Sequence, residues 1–86
     1  MDALTEAVLW LAQREGEGDY ALHITVKAAS GLEASCMVRK GKRPVWQPAW
    51  HDLDLSSPLT VEIRGRGAGT GNTGVKKRTL KVREEK

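Results

Sequence analysis

Two segments of the sequence place basic residues beside groups that could contact a phosphate or an unpaired base. In the first, Gly65 to Gly74, five of ten residues are glycine, and five cations lie within or beside it. Those cations are Arg64, Arg66, Lys76, Lys77 and Arg78. Glycine amides can approach a phosphate because no Cβ stands in the way, and the cations would attract it. The segment predicts contact with RNA or DNA, with a long solvated loop as the alternative.

The second segment, which ends at Trp50, combines cations with indole rings. Lys40, Lys42 and Arg43 can follow a phosphate backbone. Trp46 and Trp50 can stack on unpaired bases, each stack contributing about 1 to 3 kcal/mol. Two alternatives remain open. With no Phe in the chain, these tryptophans could be core aromatics, or they could form a protein-binding surface, because Trp and Arg dominate such surfaces.

The glycine-rich segment also contains Gly69, Gly71 and Gly74 at the G-x-G-x-x-G spacing of dinucleotide-binding loops. A loop of that kind opens a helix, whereas residues 75 to 82 carry no helical stripe of apolar residues. The context therefore argues against a dinucleotide site, and we expect no cofactor.

Charge is unevenly distributed along the chain, although the net charge is only +3. Residues 1 to 38 contain two basic and six acidic residues, a net charge of −4. Residues 39 to 86 contain twelve basic and five acidic residues, a net charge of +7. A basic C-terminal half fits a phosphate backbone or an acidic protein surface. It is also typical of strands whose Lys and Arg prevent edge-to-edge pairing.

The N-terminal residues predict a helix from about residue 3 to about residue 14. Asp2 is a suitable N-cap, and Gly16 follows the predicted end. Apolar residues recur at helical spacing, at Leu4, Ala7, Val8 and Leu11. Leu9 and Trp10 point away from that stripe, so we expect a second contact surface on this helix.

Alternating apolar and polar residues predict an antiparallel sheet over about residues 20 to 83. Tyr20 to Ala28 and Leu32 to Val38 form one predicted hairpin. Residues 53 to 64 alternate around a Ser-Ser-Pro turn and form a second, and Val75 to Arg83 form a last strand. Residues 40 to 52 contain two prolines, so we expect a loop or an irregular edge there.

This order predicts an α+β fold, an N-terminal helix followed by a four- or five-stranded antiparallel sheet. The sheet could curl into a small barrel or sandwich closed by the helix, or remain an open meander with the helix across its apolar face. We expect one small domain over residues 1 to 86, with a flexible glycine loop at 65 to 74 and a frayed tail at 84 to 86.

Composition indicates the cellular setting. No apolar run approaches the roughly 20 residues that cross a bilayer, so we expect no membrane association. Asp2 and Glu6 give the N-terminus the wrong charge for a secretory signal. Cys36 is the single cysteine, which excludes an internal disulfide. We therefore expect a cytoplasmic protein.

Together these features favour a small noncatalytic binding protein whose basic C-terminal half contacts RNA or DNA. The alternative is a protein-binding adaptor or inhibitor that uses Trp10, Trp46 and Trp50. This alternative includes a homodimer that forms through the N-terminal helix. Catalysis is least supported, because the paired carboxylates Asp52 and Asp54, next to His51, have no positioned nucleophile or second histidine beside them, and we expect no metal site. Cations that converge on one face would favour nucleic-acid binding. Cations that are neutralised by the acidic helix would favour the protein-binding adaptor.

Overall fold

The computed structural model describes residues 3–46, 53–69 and 74–82. They form one α-helix, α1 (Ala3–Glu15), and five β-strands. The strands are β1 (Ala21–Lys27), β2 (Glu33–Arg39), β3 (Val45–Trp46), β4 (Leu59–Arg66) and β5 (Lys76–Leu80). All neighbouring strands are antiparallel, in the order β3-β2-β1-β4-β5. This confirms the α+β class and the antiparallel sheet, which is open and not closed into a barrel.

The first predicted hairpin is confirmed, whereas the second is wrong. β1 pairs with β2 as expected, but residues 53–58 contain no strand and turn at residues 55–57, and β4 pairs with β1 and β5. The Asp54 carboxylate accepts hydrogen bonds from the Ser56 amide and hydroxyl, which closes a local turn. Leu53 is nevertheless buried and Leu55 packs against the core. The alternation of apolar and polar residues at 53 to 55 therefore comes from a loop whose leucines pack against the core, and not from a strand.

The core lies between α1 and one face of the sheet. On the sheet side it is built from the even-numbered residues of β1 and β2, which alternate with half-buried or exposed neighbours. The helix contributes Leu4, Val8, Leu11 and Ala12, all buried. Leu22, Ile24 and Val26 are completely buried at the centre of the sheet, because β1 has a neighbouring strand on both sides.

The helix crosses the sheet from one edge strand to the other. At the β3 edge, Trp46 Nε1 donates to Thr5 Oγ1 at 2.9 Å. At the β5 edge, Glu15 Oε1 lies 3.3 Å from Lys76 Nζ. Ten helical residues span about 15 Å, and five strands span about 19 Å between the outermost two. The helix is therefore long enough to reach both edges through its side chains.

Part of the glycine-rich segment packs against the linker between α1 and β1. Gly65 is within β4, the Gly67 carbonyl accepts the Glu17 amide at 2.9 Å, and Ala68 is buried. Residues 70–73 lie outside the described part of the chain, as do the predicted N-cap Asp2 and the tail. No helix in the described ranges is long and apolar enough to cross a membrane.

Substituting Gly67 with alanine should destabilise the chain strongly. Its φ is +83°, and a Cβ there would lie 2.6 Å from the Glu17 carbonyl oxygen. Gly41→Ala is the matched control, since its φ is +77° but nothing lies within 4 Å of the added Cβ. In urea denaturation followed by circular dichroism, we expect Gly41→Ala to cost about 1 kcal/mol of unfolding free energy and Gly67→Ala about 2 kcal/mol more. Equal losses would contradict the close packing at Gly67.

Candidate functional site

The sheet has a second face, here called the open face, on which no described side chain is buried. It consists of the odd-numbered residues of β1, β2, β3 and β5 and the even-numbered residues of β4, as the strand register requires. Because α1 covers the other face, the open face is the broad sheet surface on which a ligand could lie.

Strand register brings three arginines together at one end of the open face. Ala21 pairs with Arg39 on one side and with Arg66 on the other. Adjacent strands lie about 4.8 Å apart, so the two arginine backbones are about 10 Å apart with only a small alanine between them. In the next row, His23 pairs with Arg64. The arrangement forms a shallow cationic surface.

The turn after β2 adds further cations at the same end. Lys40 donates its amide to the Tyr20 carbonyl at 3.1 Å, which places the turn beside the start of β1. Lys40, Lys42 and Arg43 are exposed. We call the six cations of this region the basic end: Arg39, Lys40, Lys42, Arg43, Arg64 and Arg66. Two exposed acids, Glu17 and Asp19, lie in the linker that precedes β1.

Two of these arginines are oriented by hydrogen bonds from Nε. Arg66 Nε donates to the Asp19 carbonyl at 3.1 Å, and Arg64 Nε donates to His23 Nδ1 at 3.4 Å. A guanidinium has five N–H donors in a planar fork, the geometry that matches a phosphate or carboxylate. The side chains are therefore held near the open face while keeping the group that recognises oxyanions.

At the far end of the open face, the positive charge of Lys27 is paired with the negative charge of Glu62. Lys27 Nζ lies 3.1 Å from Glu62 Oε2, and this hydrogen bond lowers the pKa of Glu62. Lys77 is exposed on the same face in register with Glu62. Positive charge on the open face is thus concentrated at the end where Arg39 and Arg66 lie.

Two of the predicted site cations lie on the opposite face, against the helix. Arg78 approaches both carboxylate oxygens of Glu15, with Nη2 at 3.1 Å from Oε1 and Nε at 3.3 Å from Oε2. Lys76 is the third member of this cluster. The hydrogen bond from Arg78 is the main reason that the pKa of Glu15 is lowered. The Glu15 carboxylate of the helix therefore pairs with Lys76 and Arg78 and offsets one of their two positive charges, whereas the basic end lies on the other face of the sheet.

The two tryptophans among the described residues, Trp10 and Trp46, do not lie together. Trp46 lies on the helix side of the sheet, where its indole N–H bonds to Thr5, a placement that fits the core-aromatic alternative. Trp10 is 55% exposed on the outer side of α1, with the Arg14 guanidinium 5.3 Å from its ring centroid. Trp50 lies outside the described residues.

Sequence reasoning missed Arg39, His23 and Met37 as open-face neighbours. The alternation of β2 placed Arg39 and Met37 on the polar side, so a signal was present. What was lacking was the register, since only the pairing of β1 with both β2 and β4 brings Arg39 near Arg66.

Other chemistry has little support in the described residues. No group of three or more His, Cys, Asp or Glu side chains that could hold a metal ion is found among them. Cys36 is 1% exposed, and burial raises the pKa of its thiol to about 12. A buried protonated thiol is a poor nucleophile, so Cys36 acts as a small core residue.

Comparison with known proteins identifies no relative. No protein-family model matches this chain, and neither a curated protein nor a solved structure matches it.

Replacing Trp46 with phenylalanine should lower stability by about 1 kcal/mol, because the hydrogen bond to Thr5 is lost. The control is Trp10→Phe, an exposed site where we expect a change within about 0.5 kcal/mol. Unfolding free energies from urea denaturation test both variants. Equal stability of the parent and Trp46→Phe would show that this hydrogen bond does not hold the β3 edge to the helix.

Replacing Glu15 with glutamine should remove a pH-dependent part of the stability. Because the folded-state pKa of Glu15 is lowered, its carboxylate stabilises the fold above the ordinary value of 4.5, and the contribution is lost as the pH falls through the lowered value. The variant should have a lower urea midpoint than the parent at about pH 7, and the difference should shrink towards about pH 3. Glu33→Gln, at the exposed start of β2, is the control and should show a smaller difference at both pH values.

Proposed function

We propose that this chain is a noncatalytic binding protein whose basic end contacts the phosphate backbone of RNA or DNA. The observation that supports this most is the register of β1 with β2 and β4, which gathers Arg39, Arg64 and Arg66 on an open sheet face. Arginine suits this role because its planar fork can bond two phosphate oxygens at once.

Local electrostatics favour a polyanion over a neutral ligand. Six cations lie at the basic end, and the two acids nearby, Glu17 and Asp19, leave an excess of positive charge. A polyanion gains from such a surface through release of its counterions, so its affinity falls as salt rises. The neighbouring half-buried Met37 and exposed Val45 add apolar area without charge.

The proposed interface contains only part of the predicted site. Lys40, Lys42, Arg43, Arg64 and Arg66 belong to it, and Arg39 is added. Lys77 is on the same face but beside Glu62, so it contributes less. Lys76 and Arg78 are left out because both are bonded to Glu15. Trp46 is left out because its indole is turned towards the helix.

A second candidate function is protein binding at the outer side of α1. The exposure of Trp10, with Arg14 over its ring, favours it, because exposed Trp and Arg side chains are the ones that carry binding energy in protein interfaces.

The proposed function is tested by fluorescence anisotropy of end-labelled single-stranded RNA and DNA of mixed sequence, titrated at about 50 and 200 mM salt. The parent should bind both, with affinity that falls steeply with salt. Arg39→Gln/Arg66→Gln should bind more weakly, and its slope of log K against log salt should be shallower by about 1.4, from about 0.7 per lost phosphate contact.

The matched control is Lys27→Gln/Lys81→Gln, which removes the same charge outside the basic end. It should keep the salt slope of the parent within about 0.5. A cooperative thermal unfolding transition is required of both double variants, to check that each of them folds. The proposal is wrong if the parent does not bind at about 50 mM salt, and its location is wrong if the two double variants lose affinity equally.

A further inference from the structure

The outer side of α1 carries an indole between two opposite charges. Glu6, Trp10 and Arg14 follow at intervals of four residues, so they lie along one stripe of the helix. All three are exposed, and the 55% exposed indole of Trp10 supplies the apolar part of the stripe. The opposite side of the helix is buried against the sheet. The stripe therefore points directly away from the core.

The residues around the indole permit close approach of another helix. Ala3 and Ala7 lie beside the stripe and carry only methyl groups, and both are half-buried. Leu9 packs partly against the core. An exposed indole with small neighbours is a surface that gains free energy when it is covered.

The stripe is acidic at its Glu6 end and basic at its Arg14 end, so two copies that run in opposite directions place opposite charges together. A twofold axis that passes beside Trp10 and perpendicular to α1 places Glu6 of one copy opposite Arg14 of the other, and the same pair forms again on the other side of the axis. The two indoles meet at the axis. A parallel arrangement would instead place like charges together. Self-complementarity of one patch is the requirement for a twofold dimer.

We propose that two copies of this chain associate through the outer sides of their α1 helices, antiparallel and centred on Trp10. The proposal does not rest on nucleic-acid binding, because it uses a different surface. A second copy is the partner that fits this stripe, because Glu6 of each copy can pair with Arg14 of the other.

The size of the surface implies a weak dimer. α1 has 13 residues and is about 20 Å long. A single pair of such helices covers less than the roughly 1,200 to 2,000 Å² that stable interfaces bury. We therefore expect a dissociation constant between about 10 µM and 1 mM. The chain should be monomeric at nanomolar concentration and dimeric in concentrated solution.

Sedimentation velocity from about 10 µM to about 1 mM tests the dimer, with the range chosen to bracket that constant. The parent should shift from the monomer mass towards twice that mass. Trp10→Ala should stay monomeric while keeping its circular dichroism spectrum, because Trp10 is exposed and its loss leaves the core intact. Glu33→Lys, a charge reversal at the exposed start of β2, is the control and should dimerise like the parent.

A charge-reversal pair tests whether the charged ends of the stripe face each other in the dimer. The mixture is complementary in either orientation, so the antiparallel orientation is tested by the parent, whose like charges would oppose a parallel dimer. Glu6→Lys makes the stripe basic at both ends, and Arg14→Glu makes it acidic at both ends. Each variant alone should stay monomeric, and an equimolar mixture should recover the dimer, because the basic stripe of one then faces the acidic stripe of the other.

Three results would overturn the proposal. A parent that stays monomeric at about 1 mM rules out the dimer. Dimerisation that persists in Trp10→Ala would show that the interface is not centred on Trp10 of α1. A mixture of the two charge variants that stays monomeric rules out the pairing of the charged ends. Binding assays at nanomolar protein report on the monomer, so failure of this proposal and failure of nucleic-acid binding are distinguishable.

Discussion

The attachment of α1 to both edges of the sheet determines which surfaces remain available. A hydrogen bond from Trp46 to Thr5 holds one end of the helix at β3, and Glu15 holds the other end at β5 through Lys76 and Arg78. Between these points the helix lies across one face of the five-stranded sheet, beside the loop that adds Leu53 and Leu55 to the core. The open face and the outer side of α1 are the two broad surfaces left over, and they point in opposite directions.

The same attachment divides the basic half of the chain into two populations of cations. Lys76 and Arg78 are bonded to Glu15 and contribute to stability, because their carboxylate partner is only 14% exposed. Arg39, Arg64 and Arg66 are on the other side of the sheet, beyond the reach of the helix. The net charge of the C-terminal half therefore overstates the charge available to a ligand. The positive charge that remains available to a ligand lies at the basic end.

Alternation in the sequence predicted which residues face the core but not which strands are neighbours. β1 and β2 were predicted within one residue at each end, since their alternation is uninterrupted and a short turn joins them. The pairing of β4 with β1 could not be predicted in this way, because pairing between distant strands leaves no local pattern. The same gap hides Arg39 as a neighbour of Arg66. Leu53 and Leu55 alternate like strand residues for a different reason, because the loop that contains them packs against the core.

The two proposed surfaces have a joint consequence if both exist on one molecule. A dimer centred on Trp10 would bury the outer sides of two helices, each of which lies between the dimer axis and its own sheet. The two open faces would then point away from each other, and each basic end would meet a separate stretch of backbone. Such a dimer cannot close around one nucleic-acid strand. It would link two strands, or two distant segments of one strand, at protein concentrations high enough to populate the dimer.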